Sequence, residues 1–407
     1  MIYPAIVIAT YNRPKSLERL LTVVANANYD GYANIPLIIS VDGGGNITCK
    51  VIAQEFKWKY GEKVVINHYE NLGLKRHIIS CGDLTKTYGA IIMLEDDTVV
   101  SPYFYDYAVQ TSTYYQNDTK IAGVSLFFLK NSEMTQTPFW PMSNGNDVFF
   151  AQVPSSWGQC WTKEQWGNFK NYFETNCDKE LSSLLPPQVQ NWPSESSWKK
   201  YFYSYMIETD LYFVIPYVSY ATNMGDKGEH FSEPTLMFQS PLMMFRKKIQ
   251  CIPFCKSNVV YDRYFEMLAD SIKSFRQLQE YEFDVDLAGS KPLSQIQRPY
   301  LLSIKECRKP ICSYDMSLIP VEMNVIQNIR GEFIHFAKTE DFVEKRNDLA
   351  YTRLMRLYSE VCYHISQWNG YLAGTNVIKQ TKDYRLGKVL LKPLRYVYRK
   401  VFHQRNS

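Results

Sequence analysis

Residues 90–97 read Ala-Ile-Ile-Met-Leu-Glu-Asp-Asp, a short apolar run that ends in three consecutive acids. The apolar part is too short for a helix and predicts a buried strand. Ligands of open α/β sheets bind beyond the carboxyl ends of the strands, where these acids would lie. Adjacent carboxylates repel one another, so a hard divalent cation, Mg²⁺ or Mn²⁺, would stabilise them. A solvated acidic turn before a helix, with Ser101 as N-cap and Pro102 at its start, is the alternative.

Three earlier apolar stretches, residues 5–10, 37–41 and 63–67, also predict strands. A helical pattern that begins at Pro14 lies between the first two. Strands that alternate with helices indicate an α/β fold with a Rossmann-like, mainly parallel sheet flanked by helices. The carboxyl ends of parallel strands meet at one edge of the sheet, so polar residues that follow these strands should converge there. These residues are Thr10, Asn12, Asp42, Asn71, Glu95, Asp96 and Asp97.

The sequence lacks the motifs that are typical of several other classes of protein. No G-x-G-x-x-G follows the first strand and no G-x-x-x-x-G-K-[ST] occurs, which argues against a dinucleotide site or a P-loop. Nine cysteines without regular spacing favour reduced thiols over a disulfide framework or a zinc site. We find neither a signal-peptide pattern nor an apolar stretch of transmembrane length, and therefore expect a cytoplasmic protein.

Residues 384–407 differ from the rest of the chain in charge. They contain seven Lys or Arg residues and no acid, whereas the whole chain has a net charge of +4, so the remainder sums to −3. Apolar residues recur at helical spacing within this tail, a pattern typical of a helix that lies on an anionic membrane. We expect peripheral association with the inner face of the cell membrane; a helix docked on the body of the protein is the alternative. A mildly acidic body argues against nucleic-acid binding.

Four segments, in this order, resemble the GT-A-fold glycosyltransferases of the family-two type. They are Ile6-Val7-Ile8-Ala9-Thr10-Tyr11-Asn12-Arg13-Pro14, Val41-Asp42-Gly43, Glu70-Asn71-Leu72-Gly73 and Glu95-Asp96-Asp97. The resemblance covers about residues 3–240. It is closest to inverting bacterial polysaccharide glycosyltransferases and extends, more distantly, to N-acetylglucosaminyltransferases. It implies a domain that binds a nucleotide diphosphate sugar together with a divalent metal ion.

The same resemblance implies roles for individual residues. Thr10, Arg13 and Asp42 would contact uridine or a related base, and Asn12 and Asn71 belong to the same nucleotide-binding segments. Arg76 would face the diphosphate, Glu95 or Asp96 the ribose side, and Asp97 the Mn²⁺ or Mg²⁺ ion.

The acceptor side of such enzymes is matched by two later stretches. Residues 155–161, which contain Trp157 and Trp161, resemble the acceptor loop, and either Trp could stack on a sugar or pack in the core. Residues 219–230 resemble the closing segment, in which His230 could complete the metal site.

One departure from the family concerns the general base. N-acetylglucosaminyltransferases carry an Asp directly after a Trp at this point, whereas Trp198 is followed here by Lys199. A lysine cannot serve as a carboxylate base, and Glu195 is the nearest acid, so we predict Glu195 as the base. Glu208 and Asp210 come next.

We predict three parts in the chain: a GT-A-like glycosyltransferase domain over residues 1–240, a partly helical extension over 241–383, and the basic tail over 384–407. In the extension, residues 341–368 have a helical pattern, and Asp284-Val285-Asp286 is interpreted as a surface turn.

The predicted reaction is metal-dependent transfer of a sugar from a nucleotide diphosphate sugar, UDP-linked by preference, to a hydroxyl of a glycan or lipid-linked glycan. Direct displacement assisted by a base would invert the anomeric centre. A non-catalytic nucleotide-sugar or glycan-binding protein of the same fold is the rival, because Lys199 replaces the expected acid. A sugar nucleotidyltransferase is a third alternative.

Overall fold

The computed structural model describes residues 1–228 and 233–359. Residues 1–350 form one compact unit, and residues 351–407 form a second, of which the described residues 351–359 are helical. Among the described helices, none combines the length and the apolar character needed to cross a membrane. His230 and the basic tail lie outside the described residues, and the predicted division at residue 240 stays a prediction.

A large sheet organises the first part of the chain. Within the described residues it has nine strands in the order β11-β7-β9-β6-β8-β4-β1-β2-β3. These strands, with the short pair β5 and β10 that forms a separate ribbon, are β1 Ala5–Thr10, β2 Leu37–Val41, β3 Lys63–Asn67, β4 Ala90–Glu95, β5 Thr98–Val100, β6 Ile121–Ser125, β7 Val148–Ala151, β8 Gln159–Thr162, β9 Tyr212–Pro216, β10 Ala221–Asn223 and β11 Val260–Tyr261. The four strands predicted from the sequence are confirmed, and β4 extends one residue further, to Glu95.

Strands β4, β1, β2 and β3 are mutually parallel, as predicted. Strand β8 runs antiparallel to both of its neighbours, β4 and β6. Because β4 and β6 are each antiparallel to β8, they are parallel to one another, and their carboxyl ends reach the same edge of the sheet. The mainly parallel α/β architecture is therefore confirmed, with β8 reversed in the middle of the sheet and β7 and β11 reversed near one end of it.

Helices cover both faces of this sheet. They are α1 Pro14–Ala25, α2 Ile47–Glu55, α3 Gly73–Gly82, α4 Thr85–Tyr88, α5 Phe104–Tyr115, α6 Lys163–Asn176, α7 Pro187–Gln190 and α8 Trp198–Glu208. Ile92 and Leu94 of β4 join the core formed with α1 and α5. Side chains alternate between the faces of a strand, so Ile91, Met93 and Glu95 point to the other face. There Trp161, which pairs with Ile91, packs against Trp198 of α8.

Local sequence accounts for several helix ends. Pro14 occupies the first turn of α1, where its missing N–H is not needed. Thr162 and Gln165 form a capping box at the start of α6. By contrast, the expectation that Ser101 caps the helix after the acids is wrong. Helix α5 begins at Phe104, and Ser101 instead accepts a hydrogen bond from the Tyr103 N–H.

Residues 283–346 add two smaller sheets. One has the order β12-β13-β16-β15 and the other pairs β14 with β17. The elements of residues 269–346 are α9 Ala269–Ser274, β12 Phe283–Asp286, β13 Tyr300–Ser303, β14 Lys305–Cys307, β15 Cys312–Tyr314, α10 Glu322–Ile326, β16 Ile334–Lys338 and β17 Phe342–Arg346. The predicted helix over 341–368 is therefore wrong in its first residues, where β17 lies.

The Asp284-Val285-Asp286 segment is also not a surface turn. It lies in β12, and Asp286 is fully buried. Its carboxylate accepts hydrogen bonds from the Lys291 N–H and from Ser303 Oγ. Glu266, also buried, accepts from the Ala288 N–H at 2.8 Å. Burial raises the pKa of Asp286 to about 6 and, together with the charge of Asp286, raises that of Glu266 to about 8.

These raised pKa values predict a pH-dependent stability. Between pH 4.5 and about pH 8, Glu266 keeps its proton in the folded protein but loses it in the unfolded chain. The contribution of Glu266 to the free energy of unfolding is therefore fully present below pH 4.5 and is lost as the pH rises through about 8. Glu266→Gln keeps an oxygen for the Ala288 N–H and cannot ionise. We expect its Tm to fall less than that of the wild type between about pH 5 and about pH 8. Glu280→Gln, at an exposed position, is the control, and equal slopes for Glu266→Gln and wild type would contradict the assignment.

Candidate active site

The three acids lie at the carboxyl end of β4, as the sequence predicts. Glu95 ends the strand, and Asp96 and Asp97 form the turn that leads into β5. Asp96 is only 2% exposed, and its Oδ2 accepts a hydrogen bond from Thr10 Oγ1 at 2.7 Å. Thr10 ends the adjacent strand β1, so the ends of two parallel strands are joined directly at this edge.

Arg13 provides the positive charge for this group. It precedes α1, and its guanidinium forms ion pairs with Asp96 and, at 2.8 Å, with Asp97. The Arg13 side chain is a quarter exposed, whereas the Asp96 side chain is almost completely buried. In this structure Arg13 acts as the counter-ion of the acids, and its contact with a nucleotide stays a prediction.

Burial and mutual repulsion dominate the electrostatics of the acids. Burial and, after it, the charge of Asp97 raise the pKa of Glu95 to about 8, although the charge of Arg13 opposes this rise. Burial also raises the pKa of Asp96, while Arg13 and the hydrogen bond from Thr10 oppose this rise. Any additional positive charge that a ligand brings would therefore stabilise the ionised form of these three carboxylates.

The donor set fits a hard cation. Asp97 Oδ1 is buried and accepts no hydrogen bond, which leaves a carboxylate oxygen free for a ligand. Carboxylate oxygens suit Mg²⁺ and Mn²⁺. Within residues 1–228 and 233–359, no three His, Cys, Asp or Glu side chains group as a ready-made ligand set. The site thus suits an ion that one or two carboxylates hold and whose coordination shell is completed by substrate phosphates, as is common for Mg²⁺.

Asp42 organises the neighbouring loop. Its Oδ1 accepts hydrogen bonds from the N–H groups of Gly43 and Leu72, and its Oδ2 accepts from Gly73 N–H. Asp42 therefore joins the end of β2 to the start of α3. This arrangement fixes the loop at residues 70–73, and Gly73 has a positive φ of 70° that favours glycine.

Asn71 and Arg76 stabilise the same loop. Asn71 Nδ2 donates to Tyr11 Oη at 3.0 Å, which links the loop to the segment after β1. Arg76 is exposed, and its Nε donates to the Leu72 carbonyl. Asn12 is also exposed, in the bend between β1 and α1. Thr10, Asn12, Arg13, Asp42, Asn71 and Arg76 thus line two adjacent connections at one edge of the sheet.

The segment at residues 223–228 lies against Arg13. The Met224 N–H donates to the Asp97 carbonyl, and a Cβ added to Gly228 would come within 3.3 Å of the Arg13 guanidinium. Asp226 is bound by Ser16 and Arg19 of α1. Partial burial alone would raise the pKa of Asp226, but these hydrogen bonds lower it. The segment leads toward His230, which lies outside the described residues.

Glu195, the predicted base, lies in the turn before α8 and is exposed. Two lysines stabilise this turn by hydrogen bonds to its backbone carbonyls. Lys200 Nζ donates to the carbonyls of Gln190 and Trp192 at 2.8 Å, and Lys75 Nζ donates to the Ser194 carbonyl at 2.6 Å. The turn therefore has a defined position, while the Glu195 side chain faces solvent.

Lys199 follows Trp198 in the first turn of α8 and forms an ion pair with Glu133 at 2.5 Å. Glu133 also accepts a hydrogen bond from Tyr203 Oη at 3.2 Å. Neither contact was predicted. The signal was the lysine itself, because a positive charge in place of an expected acid calls for an acidic partner from elsewhere.

The two Trp residues of the acceptor-like stretch have different environments. Trp161 is fully buried between Trp166 and Trp198, so it is a core residue. Trp157 is partly exposed and packs against Phe127 and Phe238 at centroid distances of 4.9 and 4.7 Å. Of the two, only Trp157 is accessible to solvent, and sugar stacking by Trp157 stays a prediction.

Comparison with known proteins agrees with this geometry. Residues 5–164 match the family model "Glycosyl transferase family 2". A search of curated proteins finds no significant match.

Solved structures are similar only at a distance. Among them are TarS from S. aureus (9% identity, TM-score 0.35, covering 54% of this chain and 36% of that one) and its fragment 1–349 (11%, 0.35, 54% and 60%). Another is the mannosyltransferase PcManGT from Pyrobaculum calidifontis in complex with GDP-Man and Mn²⁺ (10%, 0.28, 40% and 45%). The match thus spans 36–60% of the length of these proteins.

The fold is that of a GT-A-type domain. The edge of the sheet that carries the three acids, Thr10 and Arg13 agrees with this class. The residues that match the model of glycosyl transferase family 2, 5–164, contain this edge of the sheet.

Proposed function

We propose that the protein transfers a sugar from a nucleotide diphosphate sugar, UDP-linked by preference, to a hydroxyl of a glycan or lipid-linked glycan. The observation that carries the proposal is the acidic group at the end of β4, inside the family 2 domain. Its buried carboxylates and the free oxygen of Asp97 suit an ion that also binds a diphosphate.

Different residues of the site would bind the metal ion, the nucleoside, the diphosphate and the sugar. Asp97, with His230 as a further candidate, would hold Mn²⁺ or Mg²⁺, which when bound supplies Lewis-acid stabilisation of the departing diphosphate. Thr10, Asn12, Asp42 and Asn71 would bind the nucleoside, and Arg76 the diphosphate. Glu95 and Asp96 would face the ribose and sugar. A carboxylate near the start of α8 would accept the proton of the acceptor hydroxyl, and direct displacement would invert the anomeric centre.

A thermal-shift screen tests donor binding. UDP, GDP, CDP and dTDP are each added to the full-length protein with and without Mn²⁺, because a ligand that binds the folded state raises Tm. We expect UDP with Mn²⁺ to give the largest shift. UDP release from UDP-sugars is then measured as turnover. If no nucleotide shifts Tm and no donor is consumed, the proposal is wrong.

The tail adds a proposed location. Residues 384–407 would hold a cytoplasmic protein on the inner face of the membrane, since each basic residue near an anionic surface contributes about 1 kcal/mol. We expect residues 1–383 to keep the UDP-induced shift but to lose binding to anionic liposomes. High salt should release the full-length protein, because it screens the attraction. Equal liposome binding by both forms would assign the tail a structural role.

A further inference from the structure

Glu133 and Lys199 form a charged pair between two elements that are far apart in the chain. Lys199 Nζ lies 2.5 Å from Glu133 Oε1, and Tyr203 Oη donates to Glu133 Oε2 at 3.2 Å. The ammonium also lies 5.5 Å from the centroid of the Trp192 ring. Both oxygens of Glu133 are thus oriented, and each retains a lone pair for a further donor.

The backbone around Glu133 is a closed turn. Ser132 N–H donates to the Thr137 carbonyl at 2.8 Å, and Gln136 N–H donates to the Ser132 carbonyl at 2.9 Å. The next side chain, Met134, is buried, and Gln188 Nε2 donates to its carbonyl. The Glu133 side chain remains 21% exposed. A fixed backbone with a partly open carboxylate is the arrangement that proton transfer to a bound substrate needs.

The segment that carries this turn begins at the same edge of the sheet as the acidic group. The segment that carries Glu133 leaves the carboxyl end of β6, which reaches the edge where β4 ends. Phe127, at the start of that segment, packs on Trp157. On the other side, Trp198 fixes the start of α8 against Trp161 of β8, the strand between β4 and β6. Glu95 points to the α8 face, and the charge of Lys199 acts on its carboxylate.

We propose that Glu133 is the general base of the sugar transfer, and that Lys199, at the position where an acid was expected, acts as the positioning residue that holds it. The assignment rests on the proposed function. As the acceptor oxygen forms its bond to the anomeric carbon, its proton passes to Glu133. The bond between the anomeric carbon and the diphosphate oxygen breaks, and its electron pair leaves on that oxygen. Glu133 later returns the proton to solvent.

The test compares Glu133→Gln with Glu195→Gln in the full-length protein. Turnover is measured as UDP release with water as the acceptor, on whichever of UDP-glucose, UDP-galactose or UDP-N-acetylglucosamine the wild type consumes fastest. We expect Glu133→Gln to lose about 10²-fold or more in turnover, as the loss of a general base typically does, and to keep the UDP-induced Tm shift. Glu195→Gln, which changes the base predicted from the sequence, should lose much less turnover than Glu133→Gln, because the Glu195 side chain is exposed to solvent. Wild-type turnover in Glu133→Gln overturns the assignment, and if Glu195→Gln then fails, Glu195 is the base.

Azide distinguishes a base from a structural residue. The azide ion carries no proton to remove, so it can attack the anomeric carbon directly and give a glycosyl azide and UDP. We expect azide to restore donor consumption by Glu133→Gln, with the glycosyl azide detected by mass spectrometry. A defect that azide leaves unchanged overturns the base role. A wild type that binds UDP but consumes none of the donors overturns the proposed function and this assignment together.

Discussion

Asp97→Asn is expected to remove most of the sugar-transfer activity while leaving the protein folded. The free Oδ1 of Asp97 is the buried carboxylate oxygen that best suits a cation, and asparagine has no negative charge to offer. Metal assistance is worth several kcal/mol, which corresponds to a loss of about 10²–10³-fold in turnover. The amide oxygen of asparagine can still accept a hydrogen bond from Arg13, as Asp97 Oδ2 does at 2.8 Å.

A measurement that does not depend on activity accompanies this prediction. The part of the UDP-induced Tm shift that requires Mn²⁺ should vanish in Asp97→Asn, because the ion and the diphosphate bind together. Asp270→Asn changes the same functional group at a side chain that is 91% exposed on α9, and serves as the matched control. Mn²⁺ dependence that persists in Asp97→Asn would show that the ion, if it binds, is held elsewhere.

Local pattern was sufficient for the strands that build the site. The apolar runs at 5–10, 37–41 and 63–67 match the observed strands, because each run is bounded by polar residues that end it. Pro14 likewise marked the start of α1. The reversed strand β8 was not predicted, since Gln159–Thr162 pairs with residues about 70 positions earlier, and strand direction depends on such contacts rather than on local pattern.

The wrong predictions share this origin. Residues 341–346 read as helical, but Phe342–Arg346 pairs with Lys305–Cys307 to form β14 and β17. Asp286 read as a surface residue because acids usually are. Its burial depends on hydrogen bonds from Lys291 and Ser303, which only the folded chain brings near it.

Within the candidate site, the sequence pointed to the residues but not to their contacts. Thr10, Arg13, Asp96 and Asp97 were all predicted, yet Arg13 is separated from Asp97 by 84 positions and its pairing could not be inferred from spacing. Asp42 was expected to face a nucleotide base, and its bonds to Leu72 and Gly73 follow from the position of the loop before α3. The Glu133–Lys199 pair is the same kind of long-range contact.

Arg13→Met should destabilise the protein and, at the same time, make it more responsive to a divalent cation. The substitution removes the guanidinium that pairs with Asp96 and Asp97 and leaves Asp96, 2% exposed, without its counter-charge. Breaking a buried pair in this way costs about 3 kcal/mol, at the lower end of the usual range because Arg13 is a quarter exposed. A fall of several degrees in Tm is expected.

Arg19→Met is the matched control, because it makes the same change in α1 at the more exposed pair with Asp226 and should cost about 1 kcal/mol or less. A bound cation would replace the charge that Arg13→Met removes, and it would no longer compete with the guanidinium for Asp96 and Asp97. Mn²⁺ should therefore raise the Tm of Arg13→Met more than that of the wild type or Arg19→Met. If Mn²⁺ shifts all three equally, or if Arg13→Met is as stable as the wild type, then the acids do not depend on Arg13 as their counter-ion.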